Sequence, residues 1–153
     1  MHIYNISMLS SNEIRDAAAA LDTALMRKDV KEVIESFSDE CEIKILSVTL
    51  HGKDGVKRWF NWLYSHVAEM KLTPITIMVE NNTYFEEYKV EAKLNDGGEA
   101  YSSQAEVLVF DGYKIKSLRM YFDRLDFSAS VAKGIISKTI VNQLIKRSIE
   151  GLE

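Results

Sequence analysis

The spacing of apolar residues changes once along this chain, and that change constrains the possible folds more than any other feature. Up to residue 68, apolar residues recur mainly at the three- and four-residue spacing of helices. From residue 72 to residue 122 they largely alternate with polar residues, which is the spacing of strands. A run of helices followed by a run of hairpin-connected strands predicts an α+β domain.

The first half of the chain predicts three helices and one strand. Each helix begins at a residue whose side-chain oxygen can accept a backbone N–H of the first turn, namely Ser10, Asp29 and Asp54. The apolar spacing extends these helices over residues 10–27, 30–37 and 53–68. Residues 41–50 are rich in β-branched side chains and predict a strand between the second and third helices.

The second half predicts four strands, and Pro74 in the first of them indicates an edge strand or the start of a strand, because proline lacks a backbone donor. Turn residues separate the strands, which cover residues 72–80, 83–94, 99–110 and 114–122. The following residues, 129–149, have helical spacing. We therefore expect a domain over residues 1–126 and a helical extension of the same domain over residues 127–153.

Composition excludes several classes of protein. The chain has 153 residues, a formal net charge of -4, one cysteine and three histidines. A single cysteine forms no disulfide within the chain, and no Cys/His ligand spacing is present, so we predict no metal and no cofactor. The negative charge argues against nucleic acid as a partner. No apolar run has the length of a membrane span, and the first residues lack a signal-peptide pattern, so we expect a cytoplasmic protein with no membrane partner.

Four strings of residues resemble the NTF2-like superfamily, and in particular its SnoaL-like members, which include polyketide cyclases and ketosteroid isomerase-like proteins. They are ALMRKDV at 24–30, FSDECEI at 37–43, HGKDGV at 51–56 and FDGYKIKSLRMYFD at 110–123. The resemblance implies an NTF2-like (cystatin-like) cone. In this fold a strongly bent antiparallel sheet carries three N-terminal helices on its concave face, and here a C-terminal helix follows.

The resemblance also lets the catalytic positions of relatives be compared with this sequence. Leu21 and Ile45 stand where a ketosteroid isomerase has its oxyanion-hole tyrosine and its general base, and Glu106 stands near its protonated acid. Met120 stands where a limonene-epoxide hydrolase has a catalytic aspartate. Cyclases need little beyond an apolar cavity and one acid/base, so they are the enzymes that the resemblance constrains least.

Glu106 is the candidate catalytic residue. Strand parity places it on one face with Gln104, Leu108 and Phe110, within an otherwise apolar run. A carboxyl in such surroundings is costly to ionise, so we predict a raised pKa. A raised pKa indicates a functional site, but a structural hydrogen bond or ion pair explains the same position equally well.

The candidate ligand-binding residues are expected to face the helices from neighbouring strands, with one aromatic residue contributed by the third helix. They are Tyr84, Glu86, Tyr88, Gln104, Trp59, Leu118, Met120 and Phe122. The alternative is an ordinary core with amphipathic aromatic residues. Asp22 is predicted to face solvent, and His51 and His66 are predicted to be surface histidines.

Three functions stay open from the sequence. The first is lyase, isomerase or cyclase chemistry on a hydrophobic small molecule in an apolar pocket. The second is non-catalytic binding of such a molecule, and the third is an oligomerisation module. The resemblance implies a homodimer that pairs through the outer sheet face, where Lys89, Arg119 and Tyr121 lie. We also expect the apolar residues of the C-terminal segment to pack against a homodimer partner.

Overall fold

Five helices and one six-stranded sheet make up the part of the chain that the computed structural model describes, which is residues 8–152 without the side chains of residues 130 and 131. The elements follow in the order α1 (Ser11–Met26), α2 (Val30–Glu35), β1 (Phe37–Ile45), β2 (Val48–His51), α3 (Gly52–His66), β3 (Val67–Glu80), β4 (Thr83–Leu94), β5 (Glu99–Asp111), β6 (Lys114–Phe122), α4 (Arg124–Val131) and α5 (Ile135–Ser148). The predicted α+β class is confirmed.

The N-terminal caps explain where the first two helices begin. Ser10 and Glu13 form a reciprocal capping box on α1, and the side chain of Asp29 accepts the backbone N–H of Glu32 at the start of α2. The prediction that Asp54 caps the third helix is wrong. The chain turns from β2 into α3 at Gly52, whose φ of 66° suits glycine, so Asp54 lies inside the first turn.

The single strand predicted over residues 41–50 is instead a hairpin. β1 and β2 pair antiparallel, and the chain reverses at Leu46, which has a φ of 58°. A leucine in the left-handed region gives no turn signal in the sequence, because such reversals usually carry glycine or asparagine. The sequence pattern therefore could not show this turn.

The sheet has the strand order β2-β1-β6-β5-β4-β3, so the strand that contains Pro74 lies at an edge as predicted. One pair departs from the antiparallel prediction, because β1 and β6 run parallel. The backbone N–H of Ile115 donates to the carbonyl of Ser36 at 2.9 Å and so aligns the starts of these two strands. Register shifts in β3 and β6 interrupt the ladder, and such irregularities bend a sheet into the open curve seen here.

The core lies between the sheet and the N-terminal helices. α1 contacts β3 and β4, while α3 contacts β1, β2 and β3. We call the face that these helices cover the inner face of the sheet and the opposite one the outer face. Ile14 and Leu21 of α1 and Val56 of α3 pack with Leu118 and Phe110 of the inner face, all of them buried.

The C-terminal segment contains two helices rather than the single one predicted over residues 129–149. Gly134, with a φ of 81°, separates α4 from α5. α4 contacts β5, whereas α5 contacts α4. The apolar side chains of Ile136, Ile140 and Leu144 are exposed along α5 in the single chain. No helix in the described residues is long and apolar enough to cross a membrane.

Candidate functional site

An apolar cavity of about 330 Å³ lies between α1, α3, α4 and the inner face of the sheet. Its inner wall contains buried residues, among them Leu25 of α1, Trp59 of α3 and Val90 of β4. Exposed side chains, including those of Trp62, His66 and Arg124, form its rim. His66 is thus exposed as predicted, but it belongs to the wall of this cavity.

The structure brings most of the predicted site residues to the cavity. Six of them line it, namely Trp59, Tyr88, Gln104, Glu106, Met120 and Phe122. The other three are buried on the same inner face but are not part of the cavity wall, namely Tyr84, Glu86 and Leu118. What each of these residues does for a ligand stays a prediction.

Three carboxyl groups from three elements meet between α1 and the inner face of the sheet. Glu86 of β4 and Glu106 of β5 are direct cross-strand partners, so their side chains leave the same face of the sheet side by side. Asp22 of α1 approaches them from above. One carboxylate oxygen of each residue lies within 4.8 Å of those of the other two. We call these residues the carboxyl cluster.

The prediction that Asp22 faces solvent is wrong. It is half-buried, and both it and Glu106 line the cavity. The sequence holds a signal for this position, because Ala18 and Leu25, four residues before it and three after it, are buried on the same side of α1. A polar residue between two buried neighbours on one side of a helix lies in the core or at its edge. On α1 this side packs against the sheet.

The surroundings of the carboxyl cluster favour protonated carboxyl groups. Burial, and then the nearby Asp22 and Glu86, raise the pKa of Glu106 well above its usual range. Burial, and then the charge of Glu86, raise the pKa of Asp22 to about 7. Burial also raises the pKa of Glu86, against a smaller lowering by a hydrogen bond with Tyr84. Since like charges this close cannot all ionise, the cluster holds protons at neutral pH.

The hydrogen bonds around the cluster are few. The Tyr88 hydroxyl donates to the Oε1 atom of Gln104 at 3.1 Å. Within the described residues, Oε1 of Glu86 and Nε1 of Trp59 are buried and have no hydrogen-bond partner. A buried carboxylate oxygen without a donor is costly in the charged form, which again favours protonated Glu86.

The carboxyl cluster is also the only grouping within residues 8–152 with the spacing to hold a metal ion. Three carboxylate oxygens suit a hard cation such as Mg²⁺ or Ca²⁺ rather than zinc. Protons and a divalent cation would compete for the same oxygens, because a ligating carboxylate must be ionised.

Residues 17–118 match the family model described as the SnoaL-like domain. Because the match covers more than half of the chain, the protein belongs to the SnoaL-like family. The NTF2-like, SnoaL-like resemblance seen in the sequence is therefore confirmed. A search with the sequence finds no match among curated proteins.

Solved structures of NTF2-like proteins share the fold at low sequence identity. One is an NTF2-like protein of unknown function from Burkholderia pseudomallei, with a TM-score of 0.68, 18% identity and coverage of 75% of this chain and 92% of that one. A second is SalBIII, an epoxide hydrolase/cyclase-like enzyme in pyran ring formation in the polyether salinomycin, with a TM-score of 0.69, 15% identity and coverage of 76% and 95%.

A third is an epoxide hydrolase from M. tuberculosis described as LEH-like, with a TM-score of 0.67, 16% identity and coverage of 84% of this chain and 96% of that one. At such identities the similarity shows the fold alone. The activities named for these proteins belong to them, since one fold supports many reactions.

Proposed function

We propose that this protein is an acid–base enzyme that isomerises, cyclises or eliminates a hydrophobic small molecule, with the carboxyl cluster moving the protons. The observation that carries the proposal is the meeting of three carboxyl groups from α1, β4 and β5, two of which, Asp22 and Glu106, line an apolar cavity. Perturbed titratable groups inside a cavity are typical of catalytic sites.

The two residues of the cluster that line the cavity take different roles in this proposal. Glu106 has a pKa held well above its usual range by burial and by its acidic neighbours, so it stays protonated and donates to an oxygen of the substrate. Asp22, with its pKa raised to about 7, exchanges its proton at neutral pH and serves as the base. Glu86 does not line the cavity and acts as a positioning residue, because a third carboxyl this close makes ionisation of the other two more costly.

The reaction class follows from what the site offers. A proton donor beside a proton acceptor supports enolisation, elimination, and ring closure or opening at an oxygen. The cavity is otherwise lined mainly by apolar side chains, so the substrate body is hydrophobic. The epoxide hydrolase and cyclase-like neighbours make ring chemistry a reasonable first choice for an assay.

The proposal is tested with a panel of hydrophobic cyclic ketones, enones and epoxides incubated with the protein in heavy water. Mass spectrometry then reads both product formation and deuterium uptake. For any compound that turns over, Glu106→Gln and Asp22→Asn should each lower the rate by about 100-fold or more, the usual contribution of a general acid or base.

The matched control for this assay is Glu91→Gln. Glu91 lies on β4, as Glu86 does, but it is exposed on the outer face, so the change should leave the rate unaltered. Full activity of the Glu106→Gln and Asp22→Asn variants would overturn the proposed roles. Circular dichroism confirms that the variants are folded.

Non-catalytic binding is the second candidate. It is favoured by Leu21 and Ile45, which are buried apolar residues at the positions where the resemblance places a donor and a base. A binding protein would retain hydrophobic ligands in the cavity without converting any compound of the panel. Its Glu106→Gln variant would bind such ligands as tightly as the natural sequence does.

We further propose that the protein is a cytoplasmic homodimer in which α5 covers its exposed apolar side chains against the partner. Ile140 is 53% exposed and Leu144 is 52% exposed in the single chain. Ile140→Glu should therefore yield monomers in light scattering, whereas Lys138→Glu on the same helix should leave the dimer intact. A monomeric natural protein would overturn the proposal, as would a dimer that Ile140→Glu does not affect.

A further inference from the structure

A second cleft opens beside the rim of the apolar cavity, and its walls are basic. This cleft has a volume of about 410 Å³, and three of its lining residues are cationic, namely Lys44, Arg119 and Arg124. Among residues 8–152 no acidic residue lines it, although the chain as a whole carries a formal net charge of -4. We call this feature the basic cleft.

The basic cleft and the apolar cavity share part of their walls. Four residues line both spaces, namely Leu46, Met120, Phe122 and Arg124. Leu46 lies at the reversal between β1 and β2, and Arg124 is the first residue of α4. The two spaces are therefore adjacent.

The cations of the basic cleft are incompletely neutralised by the protein. Lys44 pairs with Glu42 at 3.0 Å, whereas Arg119 and Arg124 have no ion pair within residues 8–152. Lys44 and Arg119 are moreover register partners on β1 and β6. Like charges side by side on adjacent strands are unfavourable, and a bound anion would remove that cost.

We infer that the ligand of this protein is amphipathic, with an apolar body in the cavity and a carboxylate or phosphate group in the basic cleft. This inference rests on the proposed function for the apolar body of the ligand. The carboxyl cluster determines the orientation, because an anion beside Asp22 would be repelled by that cavity-lining carboxyl, whose pKa of about 7 leaves it partly ionised at neutral pH. The anionic group therefore faces outward, where Arg119 and Arg124 can donate paired N–H groups to it.

The experiment compares three probes with the same apolar chain, which are decanol, decanoate and decyl phosphate. Binding is followed by the fluorescence of Trp59 and Trp62, because both side chains line the cavity. Decanoate or decyl phosphate should bind about tenfold more tightly than decanol, as expected for charge-assisted hydrogen bonds at a partly exposed site. The anion that binds more tightly shows whether the anionic group of the ligand is a carboxylate or a phosphate.

Variants locate the anionic group. Arg124→Gln and Arg119→Gln should each weaken binding of the anionic probes about fivefold. Arg119→Gln should leave decanol unchanged, because Arg119 lines the basic cleft and not the apolar cavity. Arg15→Gln is the matched control, since Arg15 is exposed on α1 and lines neither space. Added salt should weaken the anionic probes only.

The possible results separate this inference from the proposed function. Equal affinity of decanol and both anions overturns the inference, and so does unchanged anion binding in both arginine variants. The inference is also overturned if none of the three probes binds. Tight, arginine-dependent binding of an anion supports the inference even if no compound turns over. The absence of turnover would count only against the proposed enzymatic activity. Turnover of neutral compounds with no preference for anions would support the enzyme and overturn the anionic class.

Discussion

Glu86 and Glu87 are neighbours in sequence, yet the two faces of β4 give them opposite chemistry. Glu86 is 1% exposed on the inner face, where its Oε1 atom has no hydrogen-bond partner among the described residues and burial raises its pKa. Glu87 is half-exposed on the outer face, and its Oε2 atom accepts a hydrogen bond from Thr76 at 3.1 Å. The same functional group is buried and costly to ionise on one face, and it is hydrogen-bonded at the surface on the other.

Other charged side chains on the outer face are also exposed and paired. Lys71 and Glu91 form an exposed ion pair at 3.7 Å, and Lys93 and Glu69 form another at 3.0 Å. Water screens such pairs, so each contributes little to stability. The difference between the faces teaches that burial, rather than residue type, decides which carboxyl groups can take part in proton transfer.

The largest expected effect is on the free energy of unfolding, when a side chain on each face of β6 is replaced by alanine. Leu118→Ala removes a fully buried side chain from the inner face and should lower the free energy of unfolding by about 3 kcal/mol. Tyr121→Ala, 55% exposed on the outer face, should cost less than about 1 kcal/mol. Urea unfolding measures both, and equal losses would contradict the assignment of the faces.

The second effect concerns how stability depends on pH. A carboxyl whose pKa is raised by folding binds its proton more tightly in the folded state, so its contribution to stability is lost as pH increases. For Asp22 this loss runs from about pH 4, near the pKa of an unfolded aspartate, to about pH 7. The Asp22→Asn variant should lack this loss, so its stability relative to the natural sequence should grow as pH increases through this window.

The control for that measurement is Glu91→Gln on the outer face, which should keep the pH dependence of the natural sequence. Chemical unfolding at several pH values gives the comparison. If the advantage of Asp22→Asn does not grow as pH increases, Asp22 is not held in a raised-pKa environment and the inner wall is wetter than the structure shows.

A smaller effect is expected from the outer-face ion pairs. Glu91→Gln breaks the pair with Lys71, whose side chain is 71% exposed, and should cost less than about 0.5 kcal/mol. The cost should vanish in high salt, because screening already removes the interaction there. A loss of more than about 1 kcal/mol that salt does not affect would mean that the two faces are less different than we infer.

The smallest expected effect is that of divalent cations on the carboxyl cluster. If the cluster holds protons, millimolar Mg²⁺ or Ca²⁺ near pH 6 should leave the thermal melting temperature unchanged. A rise in melting temperature that disappears in Glu106→Gln would show that a cation binds there, since binding to the folded state alone stabilises it. That result would replace the proton-sharing account of the cluster with a metal site.

Much of the candidate site could be predicted from alternation alone. β4 and β6 begin and end where the sequence pattern predicts, and strand parity places Glu86 and Glu106 on the inner face. The pairing of β1 with β6 could not be predicted in the same way. It joins segments far apart in the chain, and neither segment carries a local signal for its partner.

The sequence by itself determined the caps of α1 and α2, the hairpins that join β3 to β6 and the side of the sheet that carries Glu86 and Glu106, because capping and alternation act over a few neighbouring residues. The tertiary structure alone decided that Asp22 meets Glu86 and Glu106, since the rotation of α1 over the sheet depends on how the whole core packs. The pKa values of the cluster follow from that meeting. Proximity and burial are properties of the packed molecule, which no single stretch of the chain contains.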